Sequence, residues 1–123
     1  MFVINCKNYE EISGNQILKF VSTAEKVAKK NKIKIAICPP QHLVGLVSGA
    51  SIPILAQHVD DSKVGSTTGF VIPELLKKSK ITGSLINHSE HRISTKEIKN
   101  LVLKLKELKM ISIVCVKDVA EAR

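Results

Sequence analysis

The chain has 123 residues, a length that suits one domain with a real core. Hydrophobic residues make up 44% and charged residues 24%, which excludes a disordered polymer. No apolar run reaches the length of a membrane span or carries the flanks of a signal peptide, so neither a membrane partner nor a leader is expected.

The net charge of +8 gathers in Lys26–Lys34, Lys77–Lys80 and Lys96–Lys109. No aromatic residue is interleaved there. The lysines therefore read as solvated helix faces, able to attract a small phosphorylated substrate, and no nucleic-acid partner is expected. Aromatics are only 3%, so Val, Ile and Leu must fill the core, a composition that suits parallel strands buried on both faces.

In chain order, Phe2–Lys7 is an apolar run that turns polar at its end. Asn8–Gly14 reads as a loop. Ile17, Phe20, Val21, Ala24, Val27 and Ala28 then recur at helical spacing, and Asn31-Lys32 closes that helix. Ile33–Cys38 is a second strand, stopped by Pro39-Pro40. Gln41–Ser48 suits a short helix ending at Gly49. Pro53–Gln57 is a third strand, and His58–Phe70 is a long polar connection of the kind that carries function or contacts. Pro73–Lys78 starts a helix with proline in its first turn. Gly83–Asn87 is a fourth strand, Ser94-Thr95-Lys96-Glu97 matches a capping box, and Ile98, Leu101, Val102, Leu105 and Leu108 form the clearest apolar helix face. Ile111–Val116 is a fifth strand, after which Asp118 would cap one more helix. This βαβαβαβαβ order predicts a parallel sheet with right-handed crossovers.

Cys6, Cys38 and Cys115 lie in or at the end of the strand runs with no CxxC spacing, as expected of buried, reduced thiols in a cytoplasmic protein. His88 and His91 lie three apart, but His42 and His58 sit in other segments, so no metal site is expected.

Polar groups collect at the C-terminal strand ends: Asn5 and Lys7, Gln57, Asn87 and His88. That rim is where parallel α/β proteins bind ligands. Lys7 would hold an anion or stabilise a developing enolate there, unless it simply snorkels to solvent. Asn5 would position Lys7 or the ligand, and Glu90 would pair with Lys7. His88 is placed near the start of a helical turn, where free backbone N–H groups favour a neutral imidazole able to donate a hydrogen bond to a carbonyl oxygen.

Asn5-Cys6-Lys7, Ala56-Gln57-His58-Val59-Asp60, Thr67-Thr68-Gly69 and Asn87-His88-Ser89-Glu90 occur in the order and spacing of the N-terminal half of triosephosphate isomerases, and the chain resembles the archaeal-type branch over essentially its whole length. The resemblance implies an α/β fold: a partial (β/α)8 barrel of about four βα units plus strand five, with residues 1–123 the N-terminal portion of one barrel domain. It implies interconversion of dihydroxyacetone phosphate and D-glyceraldehyde 3-phosphate in glycolysis and gluconeogenesis, without cofactor. His88 would polarise the substrate carbonyl, its neutral state being a family feature as well. Asn5 and Lys7 would bind substrate, Lys7 would stabilise the enediolate, and Glu90 would support Lys7. Thr68 and Gln57 would serve contacts in a homo-oligomer, dimer or tetramer. Phe70 stands where many relatives carry Glu or His after Thr-Gly.

A full barrel needs about 200–250 residues, and the family's general-base glutamate, lid and phosphate-binding turns belong to the other half. Glu107 and Glu121 do not stand in for that base. The 123 residues alone are therefore expected to be nearly silent. The other reading kept open is a non-catalytic half-barrel that associates with itself through its open strand edges.

Overall fold

A computed structural model describes residues 1–123. Its strands are β1 (Phe2–Asn5), β2 (Ile35–Cys38), β3 (Leu55–Ala56), β4 (Gly83–Ile86) and β5 (Ile111–Val114). Its helices are α1 (Gln16–Asn31), α2 (Pro73–Lys78), α3 (Thr95–Glu107) and α4 (Val119–Ala122), with 3-10 turns at Glu10–Ile12 and Gln41–Val47.

Every strand pair is parallel. β1 lies on β2, with Phe2 opposite Ile35 and Asn5 opposite Cys38, and β3, β4 and β5 follow in that order. A parallel bridge between Ile37 and Ile54 joins the two groups. Spatial order thus equals chain order, which is the pattern of an open barrel arc and not of a doubly wound sheet.

Alternation along the strands sorts the side chains into two layers. Ile35, Ile37, Ile54, Ala56 and Ile86 face the helices and pack with Ile17, Val21, Leu101 and Leu105. Ala36, Cys38, Leu55 and Leu85 face the concave side, with Ile111 and Ile113 against them. Burying each of the large aliphatic side chains contributes about 1.5–3 kcal/mol. β2, β3 and β4 are buried throughout, whereas both flanks are open: Phe2 is 64% exposed on β1, and Val114 and Val116 are exposed at the β5 side.

The helix signals act as read. Ser94 and Glu97 form a reciprocal capping box, and Asp118 caps α4 by accepting from the Glu121 N–H at 2.9 Å. The strands are shorter than the apolar runs suggest. β1 stops at Asn5 and β4 at Ile86 because the chain turns through positive φ at Lys7 (53°) and Asn87 (61°). Gln41–Val47 is 3-10 and not α-helical.

Candidate active site

Two adjoining devices build the rim. At the end of β1, Asn5 Oδ1 accepts from the Lys7 N–H at 3.0 Å and from Gln57 Nε2 at 3.3 Å. Gln57 Nε2 also donates to the Lys7 carbonyl at 3.1 Å. These bonds hold Lys7 in its left-handed conformation, one that a non-glycine residue adopts only where its surroundings enforce it. Asn5 Oδ1 is thereby engaged, which leaves its NH2 group available.

At the end of β4, Asn87 is 2% exposed. Its Nδ2 donates to the Cys115 carbonyl at 3.0 Å, and its Oδ1 accepts from the Ile93 N–H at 3.0 Å. The next residue, His88, is therefore delivered from a clamped backbone. The helical turn expected at His88 is a single turn and does not run on into a helix: α3 begins only at Thr95. That turn is closed by the His91 N–H on the His88 carbonyl at 2.7 Å. Within that turn the Glu90 N–H donates to His88 Nδ1 at 3.1 Å. Glu90 Oε2 also lies 3.5 Å from Nδ1, but the backbone N–H is nearer and itself needs an acceptor. In the neutral ring the proton then sits on Nε2, the nitrogen left to meet a ligand.

Lys7 Nζ lies 3.2 Å from Glu90 Oε1, so the first strand and the β4 turn meet across the rim. Asn5, Lys7, Gln57, His88 and Glu90 all line one cavity of about 660 Å³. This arrangement can hold an anionic ligand by an ammonium group while an imidazole N–H donates to a carbonyl oxygen.

Sequence reasoning missed two partners here. His58 and His91, far apart in sequence, stack with ring centroids 3.7 Å apart and planes at 9°. His58 Nε2 also lies 2.8 Å from Asp60 Oδ1. The His91 ring is thus stacked on His58 while still lining the cavity, and no group of three or more His, Cys, Asp or Glu side chains has metal-holding geometry. Burial alone would push the Asp60 carboxyl up, but the Val71 N–H and the His58 ring hold it below the ordinary aspartate value. The two-residue spacing of His58 and Asp60 was the one available signal.

Gln57, expected at a subunit contact, spends its side-chain amide inside its own chain. Thr68 is exposed on the long connection and lies off the cavity wall. Glu107 and Glu121 are also away from the cavity, and Glu121 pairs with Arg92. The three cysteines are free, and burial pushes the Cys38 thiol up to about 12, with smaller contributions from Cys6 and Cys115. No helix is long and apolar enough to cross a membrane.

Comparison with known proteins bears on what this rim is. The triosephosphate isomerase family profile matches residues 1–123. A triosephosphate isomerase of Cenarchaeum symbiosum is 53% identical over 122 residues, covering 99% of this chain and 55% of that protein. One from Methanothermus fervidus is 39% identical over 120 residues, covering 97% of this chain and 54% of the relative. The crystal structure of triosephosphate isomerase from Bartonella henselae superposes with a TM-score of 0.67 at 20% identity, covering 93% of this chain and 50% of that one, which establishes the shared barrel fold. The chain spans about half the length of the curated relatives it matches. It belongs to the triosephosphate isomerase family.

Proposed function

We propose that this member of the triosephosphate isomerase family supplies the substrate-binding and carbonyl-polarising half of an isomerase site that interconverts dihydroxyacetone phosphate and D-glyceraldehyde 3-phosphate. Asn5 and Lys7 bind the substrate. His88 donates Nε2–H to the carbonyl oxygen, and the Lys7 ammonium stabilises the enediolate that forms when the neighbouring carbon loses its proton. Glu90 keeps Lys7 aimed. The reaction needs no cofactor in this reading, since an imidazole and an ammonium group serve the developing oxyanion. The observation that carries it is that Lys7, Asn5 and His88 line one cavity although the first and fourth strands that bring them are far apart in the sequence.

Proton abstraction from carbon needs a carboxylate that is free and close to the substrate. Glu90 and Asp60 line the cavity, but Glu90 is paired with Lys7 and both Asp60 oxygens are engaged by His58 and the Val71 N–H, and neither Glu107 nor Glu121 lines it. The 123-residue polypeptide on its own is therefore nearly silent. Incubating it with dihydroxyacetone phosphate and following the aldehyde tests this: turnover near that of a full-length relative overturns the reading.

Residues 1–123 act in this proposal as one portion of a single barrel domain. The protein works in the cytoplasm in glycolysis and gluconeogenesis, and as a homo-oligomer, dimer or tetramer, with Thr68 at the contact. The unpaired thiols, buried at Cys6 and Cys38 but only partly so at Cys115, and the exposed tip of the long connection support those placements. A second reading, a non-catalytic module that associates with itself, draws on the exposed Phe2, Val114 and Val116 flanking the open strands. A monomer in sedimentation at tens of micromolar removes the second, whereas self-association fits both and leaves the binding of dihydroxyacetone phosphate at the rim to separate them.

A further inference from the structure

The turn that presents His88 and Glu90 to the cavity belongs to no strand or helix. Residues 88–93 lie between the end of β4 and the cap of α3. Asn87 clamps one end of that segment, and Ile93 N–H on Asn87 Oδ1 clamps the other. Its middle is held by a third contact, the face-to-face stack of His91 on His58. The His58 side chain is only 12% exposed, so the stacked ring is packed rather than loose on the surface.

His58 in turn is tied to the long connection after β3. Its Nε2 meets Asp60 Oδ1 at 2.8 Å. Asp60 closes the base of that connection twice, by donating its N–H to the Val71 carbonyl at 2.9 Å and by accepting the Val71 N–H on Oδ2 at 2.7 Å. On the other side, the His91 N–H holds the His88 carbonyl at 2.7 Å. An unbroken series of contacts therefore runs from Val71 through Asp60, His58 and His91 to His88.

We propose that His58 and His91 are positioning residues: their stack fixes the turn carrying His88 and Glu90 and couples its order to the base of the 60–71 connection. The inference deepens the isomerase reading and rests on it only for what a displaced His88 would cost the reaction. A positional coupling of this kind acts in both directions: whatever loosens one end loosens the other by the same factor.

The test is amide hydrogen exchange and 15N spectroscopy of the labelled 123-residue chain at one fixed pH, with no substrate present. His91→Ala should speed exchange at Glu90 and at Val71 together, by about tenfold or more, while Ile37 in the sheet keeps its rate. His91→Phe, which keeps a flat ring on His58, should restore both. Asp60→Asn, a side chain that hydrogen-bonds neither His91 nor His88, should shift the His88 Nδ1 resonance. Faster exchange at Glu90 with Val71 unmoved overturns the coupling. Failure of His91→Phe to rescue overturns the stack as its carrier. Should His91→Ala not fold, an unshifted His88 resonance in Asp60→Asn is by itself enough to overturn the proposal. Because no ligand is used, these outcomes are independent of whether the isomerase reading stands.

Discussion

Replacing Asn87 probes how the sheet delivers the rim histidine. Asn87→Ala removes two hydrogen bonds, to the Cys115 carbonyl and from the Ile93 N–H, both at 3.0 Å. The site is 2% exposed, but both partners are only partly buried, so each loss costs about 1 kcal/mol, toward the low end of the range for an orphaned group. Alanine must also adopt φ near 61°, where its Cβ costs about 1 kcal/mol. The sum is about 3 kcal/mol, a large share of the roughly 5–15 kcal/mol available to a small domain. Asn87→Gly loses the same two bonds but tolerates the left-handed backbone, so it should be milder by about 1 kcal/mol. Urea denaturation of the three proteins measures this, with the Ala midpoint falling by about 1–2 M at an ordinary slope for this size. Equal losses for Ala and Gly refute the conformational part. A loss under about 1 kcal/mol for Ala refutes the clamp itself.

Three other perturbations follow from the same geometry. A Cβ at Gly83 would stand 2.7 Å from Ile111 Cβ and closer still to the Ile111 carbonyl oxygen, so Gly83→Ala must force β4 and β5 apart; loss of more than about 2 kcal/mol is expected by urea denaturation, and a neutral outcome contradicts the strand packing. Asp60 has a lowered carboxyl value when folded, so its contribution is present above the unfolded value of about 3.8 and is lost as pH falls through the folded one. Wild type should exceed Asp60→Asn in stability from pH 5 to 7, and the gap should close below about pH 4; a gap that stays constant across that range contradicts the hydrogen-bonded carboxylate. Burial holds the Cys38 thiol at about 12 with the residue 0% exposed, so alkylation at pH 8 followed by mass spectrometry should label Cys115 well before Cys38, and equal rates contradict the burial of β2.

Much of the fold was legible because it rests on local, repeated signals. The Ile-rich runs, the capping box at Ser94 and the Asp118 cap each mark one boundary in the sequence itself. The pairing of Lys7 with Glu90 was also within reach, since strand ends of a parallel sheet share one rim. What was not legible depends on contacts between distant segments or on backbone turned through positive φ. The strands end early because Lys7 and Asn87 leave the extended region, and nothing in an apolar run announces that. The turn at His88 was expected, but not that it would stop after one turn and leave residues 88–93 outside any helix until the cap at Ser94. The stack of His58 on His91 joins two segments whose sequences carry no common pattern, and the inward use of the Gln57 amide depends on where Asn5 and the Lys7 carbonyl lie.

Titration of the 15N-labelled chain with dihydroxyacetone phosphate interrogates the rim most directly. Resonances of Asn5, Lys7, His88 and Glu90 should shift together and saturate, the lysine-rich helix faces should stay put, and Lys7→Ala should abolish the response. Shifts confined to the lysine clusters, or none at the rim at millimolar ligand, would mean that the first and fourth strands do not meet over a triose phosphate.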